Sequence, residues 1–165
     1  MSESTNQLKT AKLHFLLGKW KGNGFGKFPT IDTFYYIEEL TFECDGLNDL
    51  IHYEQKTWYK DNNSPLHWES GFIKPIDDTN NAFEISNSQD SGRVEVLTGK
   101  YELINNIHIL HFKIKLIQND PRMVSSERIF TINDNELTYT MKMSTKNTPE
   151  HQQHLKAELV KVTLI

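Results

Sequence analysis

The sequence predicts an all-β fold: roughly ten antiparallel strands in a meander that closes into a barrel, preceded by one short N-terminal helix. Three observations predict it. Alternating stretches rich in aromatic and β-branched residues recur at spacings of about ten residues along the 165-residue chain. Between them stand turn signals such as "CDGLND", "KDNNSP", "DDTNN", "INN", "QNDP" and "INDNE". No helical pattern long enough to carry a crossover separates any two strands, so neighbours in sequence pair as hairpins.

The helix is expected over Leu8 to Leu17, where Leu8, Ala11, Leu13, Phe15 and Leu16 supply the apolar positions and Gly18 ends the pattern. The first strand follows at "GKWKGNG", residues 18–24. "TFYYIEELTFEC" (33–44) alternates throughout. "LIHYEQKTWY" (50–59) sets Ile51, Tyr53, Gln55, Thr57 and Tyr59 on one face, and His52, Glu54, Lys56 and Trp58 on the other. Further strands are expected at 66–74, 82–87, 93–97, 99–104, 108–116, 123–132, 137–144 and 155–164. An open sheet of this size leaves two unpaired edges, and closure removes them. A barrel of about ten strands is wider than side chains alone fill, which predicts an interior ligand cavity of the lipocalin or fatty-acid-binding-protein kind. No linker or change of composition divides the chain. One domain over 1–165 is therefore expected, with residues 1–7 flexible.

The composition narrows the function classes. Net charge is -4 with both signs mixed, and no basic stripe exists to neutralise phosphates, which argues against a nucleic-acid partner. Cys44 is the single cysteine, so no intrachain disulfide forms; we read it as a buried strand residue rather than a nucleophile. "MSESTNQLKTAK" lacks the apolar core of a signal peptide, and no apolar run approaches membrane-spanning length. A soluble cytoplasmic protein without a membrane partner, monomer or homodimer, is the expectation. The phosphate-cradling GxxxxGK[ST], the GxSxG nucleophile elbow and the zinc-binding HExxH are all absent.

Two features remain. Gly18, Gly22 and Gly24 share a strand face with Trp20, and two readings stay open: something bulky approaches the backbone there, or a barrel corner bends there and Trp20 plugs it. The histidines form the second. His108 and His111, three apart on a strand, face opposite ways and share no metal. His14 and His52 read as exposed. His67, in "PLHWESGF", either lines a pocket or stacks on its neighbour. His151 and His154 precede the last strand, where one imidazole with an open coordination side suits haem iron, and where an ordinary hydrogen-bonded or exposed histidine is equally at home. Strict alternation along "HLKAELVKV" puts His154 in register with Lys156 and Glu158, pointing outward. To reach a cavity it needs a bulge, or a strand that begins after it.

"LLGKWKGNG", "FPTIDTFYYIEELTF" (28–42), "PLHWESGF" (65–72), "SGRVEV" (91–96) and "HLKAEL" (154–159) stand in this order along nearly the whole chain. Together they resemble the nitrobindin family of haem-binding β-barrels, also described as peroxynitrite isomerases, whose GxWxGxG motif falls on Gly18, Trp20, Gly22 and Gly24. The resemblance implies one ferric haem b per chain, with His154 as iron ligand and catalytic centre. It places Thr30, Leu66, His67 and Arg128 around the haem, and lets the motif glycines bring the backbone close to the macrocycle or to the chain closing over it. The activity it implies is isomerisation of peroxynitrite to nitrate, with nitric oxide as a further ligand. Two alternatives stand beside it: a barrel that carries an apolar small molecule without chemistry, and a haem or nitric-oxide sensor without turnover.

Overall fold

Side-chain alternation decides which face of each strand turns inward, and ten strands follow that rule around one closed sheet. The structure, a computed structural model, describes residues 8–76 and 81–162. The expected flexibility of residues 1–7, and most of the "DDTNN" turn, lie outside the described residues. The strands are β1 (Gly18–Phe28), β2 (Ile31–Glu43), β3 (Ile51–Tyr59), β4 (Pro65–Pro75), β5 (Ala82–Gln89), β6 (Val94–Ile104), β7 (Ile107–Gln118), β8 (Met123–Asn133), β9 (Glu136–Thr145) and β10 (Thr148–Val162). Each pairs antiparallel with its sequence neighbour, and β10 pairs back with β1, so no edge is left open.

Three expectations are corrected. The stretches 93–97 and 99–104 form one strand, β6, because Gly99 keeps its place in the ladder opposite Phe112. The last strand begins at Thr148 rather than 155, its irregular start absorbed by two register shifts against β9. Cys44 is half-buried and lies just beyond the end of β2, packed against the core.

The helix is a 3₁₀ helix, Lys9–Leu16. Its buried residues, Thr10, Leu13 and Leu16, recur every third position, the period at which a 3₁₀ helix aligns side chains on one face. The Asp49 carboxylate anchors it, accepting from the Lys9 and Thr10 backbone amides at 3.0 and 2.7 Å and from Thr10 Oγ1 at 2.8 Å. That face closes one end of the barrel over Trp20, which is fully buried and whose Nε1–H donates to Leu16 O at 2.7 Å.

The motif glycines serve this end and the seam beside it. A Cβ on Gly22 would lie 1.9 Å from the carbonyl oxygen of Glu158 on β10, and one on Gly24 would lie 2.3 Å from the Tyr36 ring. Neighbouring chain and an aromatic ring therefore make the close approach, and Trp20 is indeed the plug.

The interior is layered. From the open mouth to the closed end, β2 turns Phe34, Tyr36, Glu38, Leu40 and Phe42 inward. Leu40, Phe42, Ile51, Ile73, Phe83, Leu97, Phe112 and Ile132 build an apolar core at the closed end. Above it the ladder places Glu38 opposite Thr57, Gln55 opposite Glu69, Glu69 opposite Gln89 and Asn87 opposite Glu95, a polar layer across the barrel. The space above that layer is the cavity.

Because the atom facing Gly22 is backbone, Gly22→Ala has nowhere to relax. We expect it to lower stability by about 1–3 kcal/mol, read as a shift of the urea midpoint at unchanged m-value.

Candidate functional site

A cavity of about 730 Å³ opens at the mouth. Phe28, Ile31, Phe34, Leu66, Met141 and Met143 supply its apolar wall, and Arg122 and Lys146 also line it. The structure brings Thr30, Leu66, His67, Arg128 and His154 together on this lining. Gly18, Trp20, Gly22 and Gly24 do not line it.

His154 reaches the cavity through a bulge. Gln153 pairs with Lys142 and Leu155 with Met141, the next residue of β9, which leaves His154 as the extra residue. His154 and Leu155, adjacent in sequence, thus both face the cavity. His154 Nδ1 stands 3.1 Å from Lys27 O. A carbonyl only accepts, so Nδ1 carries the hydrogen and Nε2 keeps its lone pair. Burial lowers the imidazole pKa, against the Lys27 bond and with help from Arg93, and so favours the neutral ring. Phe28 and Phe34 hold that ring edge-on, with centroids at 5.6 and 6.3 Å.

His151 turns the other way. Its Nδ1 is 2.8 Å from Ser125 Oγ and its Nε2 2.8 Å from Glu127 Oε2, while His111 Nε2 contacts the other Glu127 oxygen. The segment between the two register shifts is thus held from outside by His151 and from inside by His154.

The cavity floor is charged. Arg128, 2% exposed, donates to both oxygens of Glu69 and, from Nη2 at 2.7 Å, to Glu95. Arg93 continues the chain to Glu95 at 3.3 Å and Asp120 at 3.6 Å, and Arg122 ends it on Asp120 at 3.0 Å. On the other side His67 faces Glu69 at 3.1 Å and Asp90 at 3.4 Å, so both its ring nitrogens meet carboxylates. Burial alone would raise the Glu69 pKa; the charge of Arg128, with hydrogen bonds from His67 and Arg128, overrides it and holds that carboxyl well below the usual range. Glu38 behaves oppositely. Burial pushes it up to about 7, with Glu69 adding to the push and the Gln55 hydrogen bond and Arg128 opposing it.

With this geometry in hand, comparison with known proteins decides the family. The profile of the THAP4-like, heme-binding beta-barrel domain matches residues 9–161. The chain belongs to that family. A relative from Arabidopsis thaliana named peroxynitrite isomerase Rv2717c is 38% identical over 152 residues, covering 92% of this chain and 88% of its own. Peroxynitrite isomerase 1 of Mycolicibacterium paratuberculosis is 33% identical, covering 90% and 92%. The crystal structure of Rv2717c from M. tuberculosis superposes with a TM-score of 0.86 at 29% identity, over 95% of this chain and 99% of that one. The nitrobindin resemblance and the ten-stranded barrel expected from it both hold.

Sequence reasoning missed Glu38, Glu69, Glu95 and Arg93. The signal was there: Glu38 shares the inward parity of Tyr36, Leu40 and Phe42, and a charge at an inward strand position marks a buried network. Of the remaining histidines, His14 is exposed as expected, whereas His52 is half-buried, 2.8 Å from Ser70 Oγ.

Two measurements probe this arrangement. Glu127→Ala removes one of the two partners of His151 and leaves it on Ser125 alone, and the bulge then relaxes. The His154 pKa, followed by ring NMR in the haem-free chain, is expected to rise toward its ordinary value of 6.5, while Glu127→Gln keeps the wild-type titration. An unchanged His154 in Glu127→Ala would show that the bulge stands without the clamp. Glu38 carries a stability signature. Its folded pKa lies above its unfolded value, so its contribution is complete below about 4.5 and is lost as pH rises through about 7. Between pH 4 and pH 8 the wild type should lose about 3 kcal/mol that Glu38→Gln keeps, measured by urea denaturation at both pH values.

Proposed function

We propose that this chain binds one haem b in the mouth cavity through His154 and converts peroxynitrite to nitrate there. The bulged His154 carries the reading. Its Nδ1–H is spent on Lys27 O and its Nε2 lone pair is free, the arrangement by which a protein orients an imidazole toward a metal. The lining fits a flat, largely apolar group with polar edges: Phe28, Ile31, Leu66, Met141 and Met143 form the wall, and Arg93, Arg122 and Lys146 stand among the lining residues. When bound, haem supplies a Lewis-acidic ferric iron for rearranging peroxynitrite to nitrate without an external electron donor, and a position for nitric oxide.

The chain's own residues do the rest. Lys27 O holds the tautomer of His154, and the Phe28 and Phe34 edges hold its orientation. His67, whose Nε2 meets Glu69 at 3.1 Å, serves as a wall residue of the cavity with Leu66 and Thr30 rather than as a second ligand. Arg122 and Lys146 draw an anionic substrate toward the cavity. The relatives that bear the name peroxynitrite isomerase support this reading.

Carriage of an apolar molecule is the second reading, favoured by the apolar wall. Hemin titration separates the two. The wild type should develop a sharp ferric Soret band at one equivalent, and His154→Ala should lose or shift it. Stopped-flow with peroxynitrite then reads nitrate formation above the uncatalysed rate; hemin binding without that acceleration would leave a sensor. Unchanged hemin binding by His154→Ala would falsify the ligand assignment.

A further inference from the structure

Buried polar atoms almost always find hydrogen-bond partners, and each that does not calls for an explanation. Tyr36 Oη, Thr57 Oγ1 and Arg128 Nε have none, on residues only 2, 6 and 2% exposed. All three residues line the cavity. They are also deep in it: His154 meets Phe34 at 6.3 Å between centroids, and Phe34 meets Tyr36 at 6.1 Å, one ring further along β2 toward the floor. Two hydroxyls and a guanidinium N–H make a set of donors. Glu38, opposite Thr57 in the ladder and one inward position beyond Tyr36 on β2, lies beneath the lining rather than on it and carries a further partnerless atom, Oε2, which is a donor when it carries the proton.

We propose that these groups form a second ligand site on the cavity floor, for a small monovalent oxyanion of the nitrate class, bound together with a proton on Glu38. The choice of anion rests on the function proposed above, in which substrate and product both belong to this class. Charge selects the accompanying proton. Arg128 and Arg93 balance Glu69 and Glu95, so the layer is neutral while Glu38 is protonated. An anion beside an ionised Glu38 would set two uncompensated negative charges in one dry layer. The groups facing Glu38 are Tyr36 on its own strand, Gln55 and Thr57 from β3, Glu69 from β4, Arg128 from β8 and Tyr139 from β9. Among them Arg128 is the one cation, already shared between two carboxylates.

The test titrates the full haem-free chain with sodium nitrate at constant ionic strength against sodium chloride, following amide NMR shifts of β2 and β3. Saturable shifts with nitrate are expected, and none of the same kind with chloride. Tyr36→Phe should weaken nitrate about tenfold without loss of stability, because it deletes a hydroxyl that bonds nothing within the protein. Wild-type affinity should fall about tenfold from pH 6 to pH 8, following the protonated fraction of Glu38, and Glu38→Gln should abolish that dependence. Non-saturating shifts, an equal response to chloride, or wild-type nitrate affinity in Tyr36→Phe would each overturn the site and leave the floor to water. Hemin binding is read separately at the Soret band. Its absence with the nitrate response intact would sink the haem reading alone.

Discussion

Arg128 between Glu69 and Glu95 is the interaction on which the rest of the barrel depends. Three charged groups in a dry interior are tolerable only if each finds its partner, because removing any one strands the others at a cost far above their net contribution. The network therefore fixes β8, β4 and β6 relative to one another at mid-barrel, where the ladder alone would permit small slips. It also divides the interior. Below it, side chains pack to an apolar core under the 3₁₀ helix; above it, apolar residues cannot fill the space without burying Arg128 Nε and Tyr36 Oη against hydrocarbon. The cavity is the consequence of a polar layer that closes off the core beneath it.

The bulge at His154 is the second constraint, and it works against local regularity. A strand obeying its period would send His154 out with Lys156 and Glu158. One unpaired residue reverses that for a single position, while Ala157 and Leu159 keep their inward places. The cost is lost ladder bonds, offset by side chains: His151 to Ser125 and Glu127 outside, His154 to Lys27 O inside. The placing of His154 at the mouth thus rests on a hydrogen-bonded brace across β7, β8 and β10 rather than on propensity.

What could be read from the residues follows from period and composition. Alternation such as Ile51, Tyr53, Gln55 and Thr57 fixed strand faces, since one buried face imposes a period of two whatever the partner strand is. The Trp20 plug was legible for the same reason. The break expected at Thr98 misled because its pairing with Glu84 and Lys113 is visible only once both neighbouring strands are known. The start of β10 misled because a bulge is a property of two strands, and no one-dimensional pattern records it; the need for one at His154 was legible, its existence was not. The charged floor was overlooked because Glu69 and Arg128 are 59 residues apart, and their pairing exists only after the sheet has closed.

Glu38 shows most directly that this layer is not arranged for stability. Its neighbour Gln55 satisfies one oxygen and leaves the other without a partner, and Glu69 repels its charge. A leucine there would remove the buried carboxyl, the orphan oxygen and the destabilisation that grows as pH rises through about 7. Beside it, the hydroxyls of Tyr36 and Thr57 repeat the same pattern of buried donors with nothing to bond. Tyr36 Oη, Thr57 Oγ1 and Arg128 Nε, all on cavity-lining residues, share with Glu38 Oε2 just beneath them a single physical resolution: something polar that is not part of the chain completes them. The fold tolerates the deficit because the closed apolar end and the ten-strand ladder hold it together without them.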